Sequence, residues 1–188
     1  MANKDPERRA QTRQRLLSSF WNLYADSPLA QIKIRAVTDG AGCNRSTFYE
    51  YFESVYDLLD QAEGELLDQI YGYLAEVAPQ MGDAGVLEKA CSVYRERGRQ
   101  LDALLGPHGD PTFAVRFRQK VKPLAMEALG LDAQDPASDI LAECLLGAMT
   151  QSVAYWHQQG RPIDAERLAQ LLRAVLIQGV VPTAERLG

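Results

Sequence analysis

The sequence is poor in the residues that most often carry catalysis or metal binding. It contains two histidines and three cysteines among 188 residues, and neither type forms a closely spaced group. Motifs such as HExxH, the phosphate-binding P-loop and GxSxG place catalytic groups at fixed spacings, and the chain has none of them. We therefore expect that the protein is not an enzyme and that it holds neither a metal nor a cofactor.

Long apolar runs are also absent. No run approaches the roughly 18 apolar residues of a membrane helix, and residues 1–15 lack the apolar core of a secretory signal. The cysteines are odd in number and far apart, which favours reduced thiols over disulfides. These features predict a cytoplasmic protein with no membrane partner.

Charge is unevenly spread along the chain. The net charge is −5, yet residues 1–55 carry a net charge of +2 and the remainder carries −7. An acidic chain is a poor general coat for nucleic acid, so a polyanion partner is expected only at the basic end.

Helical periodicity runs through most of the sequence and predicts an all-α fold. Capping residues, prolines and glycines mark the ends of the elements. Ser54 and Asp57 have the spacing of a capping box, and Asp110 and Asp135 each precede a proline as an N-cap would. Pro123 should kink or split the sixth helix. Helices are predicted over 6–25, 33–41, 45–51, 54–78 and 83–105, from about 111, from about 136, and over 164–180.

Two of the short helices are joined by a tight turn at Gly42, which is typical of a helix-turn-helix. The second helix of such a unit lies in the DNA major groove, where arginine can donate two hydrogen bonds to guanine. Arg45 and Tyr49 share one helical face, and Phe48 and Phe52 share the opposite face. The alternative is that these aromatic residues only fill a core.

The motif "AGxxxxTFYxYF" at 41–52, followed by Asp57-Leu58-Leu59, resembles the DNA-binding region of the TetR (tetracycline-repressor) family, and the resemblance extends over 11–59. It implies an N-terminal three-helix helix-turn-helix domain at 1–53 and a C-terminal helical ligand-binding and dimerisation domain at 54–188. It also implies a homodimeric repressor that binds palindromic double-stranded DNA and is released by a small-molecule effector.

The family's DNA contacts fall by position on Lys33, Arg35, Arg45, Ser46, Thr47, Tyr49 and Tyr51. This sequence departs from the family pattern at four places: Lys33 replaces a threonine, Thr38 an alanine, Val55 a lysine, and Gly40 is unusual within a helix. We expect weaker or more sequence-dependent DNA binding as a result, unless the basic residues of 4–15 compensate.

Apolar stripes in the last two helices could form a dimer interface or the core of one protomer, and the resemblance favours the dimer. These residues are Leu141, Cys144, Leu145, Ala148, Leu168, Leu172 and Val175. A second group of aromatic residues could line an effector pocket or belong to the core: Tyr71, Tyr94, Phe113, Phe117, Tyr155 and Trp156. Two other functions stay open, a regulator that answers to a protein partner or to no ligand, and a helical scaffold or ligand-binding protein that has lost DNA binding.

Overall fold

Every regular element that the computed structural model describes is a helix, which confirms the all-α prediction. The described residues are 6–77, 93, 96–164, 166–172 and 174–175. The helices are α1 (Pro6–Tyr24), α2 (Ile34–Ala41), α3 (Arg45–Phe48), α4 (Val55–Val77), α5 (described at 93 and 96–105), α6 (Phe113–Ala128), α7 (Pro136–Gln158) and α8 (described at 166–172 and 174–175), with one 3₁₀ turn at Leu29–Gln31.

Side-chain caps fix the starts of α4 and α7 as the sequence predicts. The Ser54 hydroxyl accepts a hydrogen bond from the Asp57 N–H at 3.1 Å, and the Asp57 carboxylate accepts one from the Glu53 N–H at 2.8 Å. Asp135 accepts from two N–H groups in the first turn of α7, with Pro136 as the first helical residue. The hydrogen bonds from Ser138 to this carboxylate hold the pKa of Asp135 below its usual range.

Helix α6 starts two residues later than predicted, and Pro123 does not split it. The helix begins at Phe113 and not near Pro111, because the Asp110 carboxylate caps the preceding turn by accepting from the Thr112 N–H at 2.8 Å. It also continues through Pro123 to Ala128 without a split. Proline removes one helical hydrogen bond, and buried Val121 and Met126 on either side of it pack the helix against its neighbours.

One large apolar core joins the first helices to α4. Phe20 of α1, Phe48 of α3 and Leu58 of α4 are fully buried in the same cluster, which extends to Leu104 of α5 and Phe113 of α6. Helix α1 packs against α2 and α2 packs against α3, while α6 packs against both α4 and α7. The short α3 is therefore held on a surface built by much longer helices.

Ion pairs join α6 to α4. Arg116 pairs with Glu63, whose side chain is only 1% exposed, and with Asp110 at 2.9 Å. Lys120, one turn further along α6, pairs with Asp68 at 2.6 Å. Among the helices in the described ranges, none has both the length and the apolar character needed to cross a bilayer.

Candidate nucleic-acid interface

The end of α2 is shaped by Gly42. This residue has φ 62°, in the left-handed region that glycine adopts without strain. Its N–H donates to the Asp39 carbonyl at 3.2 Å, and the Cys43 N–H donates to the Thr38 carbonyl at 3.0 Å. These two bonds form the Schellman pattern that closes a helix. The chain therefore reverses here as predicted and leads directly into α3.

Gly40, which looked unfavourable in a helix, has a packing reason. A Cβ atom at this position would lie 2.3 Å from the Ser19 hydroxyl oxygen and 3.3 Å from the Ser19 Cβ. Ser19 is buried on α1, so α2 approaches α1 closely where the glycine stands. The departure from the family pattern thus permits a tight α1–α2 contact.

Asn44 begins α3 and was missed as a site residue. Its side-chain oxygen accepts from the Thr47 N–H at 3.0 Å, the Thr47 hydroxyl at 2.9 Å and the Ser46 hydroxyl at 2.7 Å. Asparagine is among the preferred N-cap residues, so the signal was present in the sequence. Asn44 therefore orients two of the residues predicted to contact DNA.

The two faces of α3 and of the turn that follows it separate as the sequence predicts. Phe48 and Phe52 are buried, with ring centroids 5.5 Å apart. On the other face Tyr49 is 50% exposed, and its hydroxyl accepts a hydrogen bond from exposed Arg45 at 2.9 Å. The Arg45 guanidinium lies 5.6 Å from the Tyr49 ring centroid, within cation–π range. An arginine and a phenol thus stand together on the surface, where both can donate hydrogen bonds.

The α3 helix is shorter than predicted. It ends at Phe48 and not near Tyr51, because the next N–H groups, those of Glu50 and Tyr51, donate to carbonyls three residues back. Such bonds form a tighter turn than an α-helix. Tyr51 therefore lies in this turn, half-buried, with the Arg9 guanidinium 6.0 Å from its ring centroid.

The remaining predicted contacts lie at the start of α2 and within α3. Lys33 and Arg35 are exposed, and Thr47 is half-buried. Lys33 is the N-cap of α2 without a side-chain capping bond, as expected for lysine. Arg35 pairs with Asp39 at 3.6 Å, and this pair is largely solvent-exposed, so the pairing is weak.

Val55 offers no polar contact to a partner. It is 7% exposed and belongs to the main apolar core.

Arg13 of α1 makes its contacts within the protein. It donates a hydrogen bond to Gln61 at 3.0 Å, pairs with Glu65 at 2.5 Å and lies over the Phe52 ring. Arg13 thus fixes α1 to α4. The exposed basic residues of α1 are Arg8, Arg9 and Arg15.

Cys43 lies inside the turn between α2 and α3. Its side chain is half-buried against the main core. Burial raises the pKa of the Cys43 thiol, and nearby Arg15 partly opposes this rise. Cys43 therefore remains a neutral thiol and serves as a small apolar residue in the turn.

The aromatic residues predicted to line a pocket lie in different surroundings. Phe113 and Phe117 pack together with ring centroids 6.4 Å apart, and the Tyr71 ring lies beneath the Lys120 ammonium. Trp156 is buried and its indole N–H donates to the Ile163 carbonyl at 2.7 Å, whereas Tyr155 is 59% exposed. Tyr94 lies outside the described residues. A pocket shared by these six residues stays a prediction.

A separate open cleft lies between α1, α4 and α5. Its volume is about 1270 Å³. Trp21 of α1 and Leu66 of α4 line it, together with His157 and Arg161 near the end of α7. Asp102 of α5 holds this end of α7 in place, since it pairs with His157 at 3.0 Å and with Arg161. Arg97 and Arg99 of α5 also line this cleft, whereas Arg116 pairs with Glu63 of α4 and Arg118 pairs with Glu143.

The predicted dimer residues divide into two groups. Leu145 is buried within the protomer, where it packs against Leu172 of α8, Leu129 and Met149. Leu141 and Leu168 are half-buried, while Cys144, Ala148 and Val175 are exposed. Ile140 and Tyr155 extend the exposed group along α7 at spacings of four and seven residues from Cys144 and Ala148, which is one helical face. Leu145 therefore contributes to the core of one chain, and an apolar stripe remains on the surface of α7.

The chain is similar to known helical proteins that regulate transcription. No protein-family model matches the chain. The HTH-type transcriptional repressor KstR2 of Mycolicibacterium smegmatis is 22% identical over 200 residues, which cover 96% of each chain. A TetR-family regulator from Streptomyces coelicolor superposes with a TM-score of 0.69 at 21% identity, over 95% of this chain and 86% of its own. A TetR regulator from Streptococcus agalactiae gives 0.65 at 21% identity, over 90% and 96%.

These comparisons extend along nearly the whole chain and not only along the helix-turn-helix. The chain has the fold of the TetR-family regulators, and the resemblance that the motif at 41–52 indicated is confirmed.

Proposed function

We propose that the protein is a homodimeric, sequence-specific DNA-binding regulator that represses transcription from a palindromic operator. The observation that carries the proposal is the division of α3 and the turn that follows it into two faces. Arg45, Ser46 and Tyr49 are exposed on one side, while Phe48 and Phe52 are buried on the other. An exposed arginine beside hydroxyl groups at the start of such a helix suits base edges in the major groove.

Basic residues of α1 would supply contacts to the phosphate backbone. The Arg9 guanidinium lies by Tyr51, and the Arg15 Nη1 atom lies 3.9 Å from the position of a Cβ at Gly42. These two arginines therefore flank α3 at its two ends. Each phosphate contact changes the slope of log affinity against log salt concentration by about one. Two such contacts from α1 would therefore more than replace the one that is absent at Val55.

A dimer would give the regulator its symmetry. The exposed stripe of Ile140, Cys144, Ala148 and Tyr155 on α7 is the surface that we assign to the second copy, together with Val175 of α8. Two identical reading heads about 34–36 Å apart select a palindrome, because each head reads the same half-site sequence.

Release by a small molecule completes the proposal, with a DNA-binding domain at 1–53 and a regulatory domain at 54–188. The cleft between α1, α4 and α5 supports it, because a molecule bound there would contact Trp21 on one side of this boundary and His157 on the other. An effector shifts the protein between two states only by its difference in affinity for them.

Selection of binding sites from random duplex DNA tests the proposal. We expect the wild-type protein to enrich one palindrome, and Arg45→Ala to weaken binding to it by about 1–3 kcal/mol. Arg167→Ala removes an equal charge from an exposed site on α8 and serves as the control. Enrichment of no palindrome at low salt, or equal affinities for wild type and Arg45→Ala, would show the proposal to be wrong.

A further inference from the structure

Three hydrogen-bond donors of α3 converge on a single atom of Asn44. The Thr47 N–H lies 3.0 Å from it, the Ser46 hydroxyl 2.7 Å and the Thr47 hydroxyl 2.9 Å. A backbone N–H can only donate, so the atom that it faces must be the amide oxygen and not the amide nitrogen. An amide oxygen can only accept, and the Ser46 hydroxyl must therefore donate its proton to Asn44.

This hydrogen bond determines whether the Ser46 hydroxyl can donate to a partner or only accept from it. A serine hydroxyl has one proton and two lone pairs, and in Ser46 the proton is already used within α3. Ser46 is exposed, so what it offers to a partner is an acceptor. A phosphate oxygen is itself an acceptor and gives no hydrogen bond to such a group. In the major groove the available donors are the amino groups of adenine N6 and cytosine N4.

The same geometry limits what Asn44 can do. An exposed asparagine in a recognition helix often reads adenine with its oxygen and its nitrogen together. The oxygen of Asn44 is occupied by Ser46 and Thr47, so only its amino group remains for a partner. Asn44 is therefore a positioning residue and not an adenine reader.

We infer that Asn44 holds Ser46 as a hydrogen-bond acceptor, and that Ser46 thereby selects adenine or cytosine at one position of each half-site. The inference rests on the proposed DNA-binding function and adds to it the base class that this residue reads. Guanine O6 and thymine O4 are disfavoured at that position, because two acceptors would face each other.

The test compares base preferences in site selections with five proteins, the wild type and four variants. Ser46→Ala removes the acceptor, and Asn44→Gly frees the hydroxyl while keeping an N-cap residue that costs only a few tenths of a kcal/mol. Asn44→Asp keeps the accepting oxygen. Gln119→Ala, at an exposed position of α6, is the control, and thermal melting confirms that each variant is folded.

We expect the wild type and Gln119→Ala to prefer adenine or cytosine at one position by about three- to tenfold, the range of one hydrogen bond. Ser46→Ala should lose that preference at this position alone, and Asn44→Gly should broaden it to guanine and thymine. Asn44→Asp should keep it while binding all sequences more weakly, because its charge repels the phosphates.

The outcomes separate this inference from the proposed function. Base frequencies that are the same for the wild type and Ser46→Ala would overturn the role of Ser46. So would a difference between the two proteins at a position where the wild type prefers guanine or thymine. An unchanged preference in Asn44→Gly would overturn the role of Asn44. Enrichment of no sequence by the wild type would overturn the proposed function and this inference together.

Discussion

At the residue scale, α3 arranges its own arginine before any partner is present. Arg45 donates to the Tyr49 hydroxyl and lies over the same ring. A free arginine side chain loses up to about 2 kcal/mol of conformational entropy when it is ordered. The contacts with Tyr49 already order the Arg45 side chain, so Arg45 loses less entropy than a free arginine when it binds a partner. Arg35 is ordered less, because its exposed pairing with Asp39 is weak.

Tyr24 carries a prediction for alkaline pH. Burial first, and the charge of Asp110 second, raise the pKa of Tyr24 from 10.0 to about 12. Below pH 10 the phenol is neutral in the folded and unfolded chains, so its contribution to stability is complete. Between pH 10 and 12 only the unfolded chain ionises, and the free energy of unfolding must fall as the pH rises.

Urea unfolding at pH 9, 10 and 11 checks this prediction with wild type and Tyr24→Phe. The phenylalanine variant should lose less stability over that window, since the ionising group is gone. Tyr71→Phe, on half-buried Tyr71 of α4, is the control and should follow the wild type. Parallel curves for wild type and Tyr24→Phe would contradict the assignment.

At the element scale, the contact of α1 with α2 depends on Gly40. Alanine there would gain about 1 kcal/mol of helix propensity, but its Cβ would meet buried Ser19. We expect Gly40→Ala to destabilise the wild type and to be better tolerated when Ser19→Ala is also present, with a coupling of about 0.5–3 kcal/mol in a double-mutant cycle of unfolding free energies.

Gly64 of α4 supplies the matched control for that cycle. A Cβ at Gly64 meets no atom within 4 Å, so Gly64→Ala should raise the free energy of unfolding by about 1 kcal/mol in either background. A coupling near zero between Gly40→Ala and Ser19→Ala would show that the close approach does not limit this position.

The ion pairs between α6 and α4 should differ in strength although they are one turn apart. Arg116→Ala leaves the buried carboxylate of Glu63 without its cation, and we expect the free energy of unfolding to fall by about 3–5 kcal/mol. Lys120→Ala breaks a pair with exposed Asp68 and should cost less than about 1 kcal/mol. Denaturant unfolding of both variants measures this difference, and equal losses would argue against a buried pair at Glu63.

At the scale of the whole molecule, the proposed dimer would form through the exposed face of α7. Ile140 is 63% exposed in the protomer, so Ile140→Asp should leave the monomer fold intact and weaken the dimer by placing a charge in an apolar interface. Val115→Asp makes the same kind of change on exposed Val115 of α6 and should leave the dimer unchanged. Sedimentation equilibrium distinguishes these outcomes, and a dimeric Ile140→Asp protein would exclude this face.

Local features were predictable because short-range physics sets them. The positive φ of Gly42, the capping by Ser54 and Asp135, and the two faces of α3 each depend on residues within four positions of one another. The predictions failed where one turn competes with another. Asp110 caps a turn and not α6, and α3 ends early because the N–H groups after Phe48 bond three residues back.

The sequence by itself determined the helical fold, the turn at Gly42 and which residues of α3 face outward, since helical spacing and glycine's conformational freedom act along the chain. Only the tertiary structure decided which charged residues stay at the surface. Arg13 and Arg116 look as exposed in the sequence as Arg9 and Arg45, but their partners Gln61 and Glu63 lie 48 and 53 residues away. Burial of those partners depends on how α1, α4 and α6 pack, which no local pattern encodes.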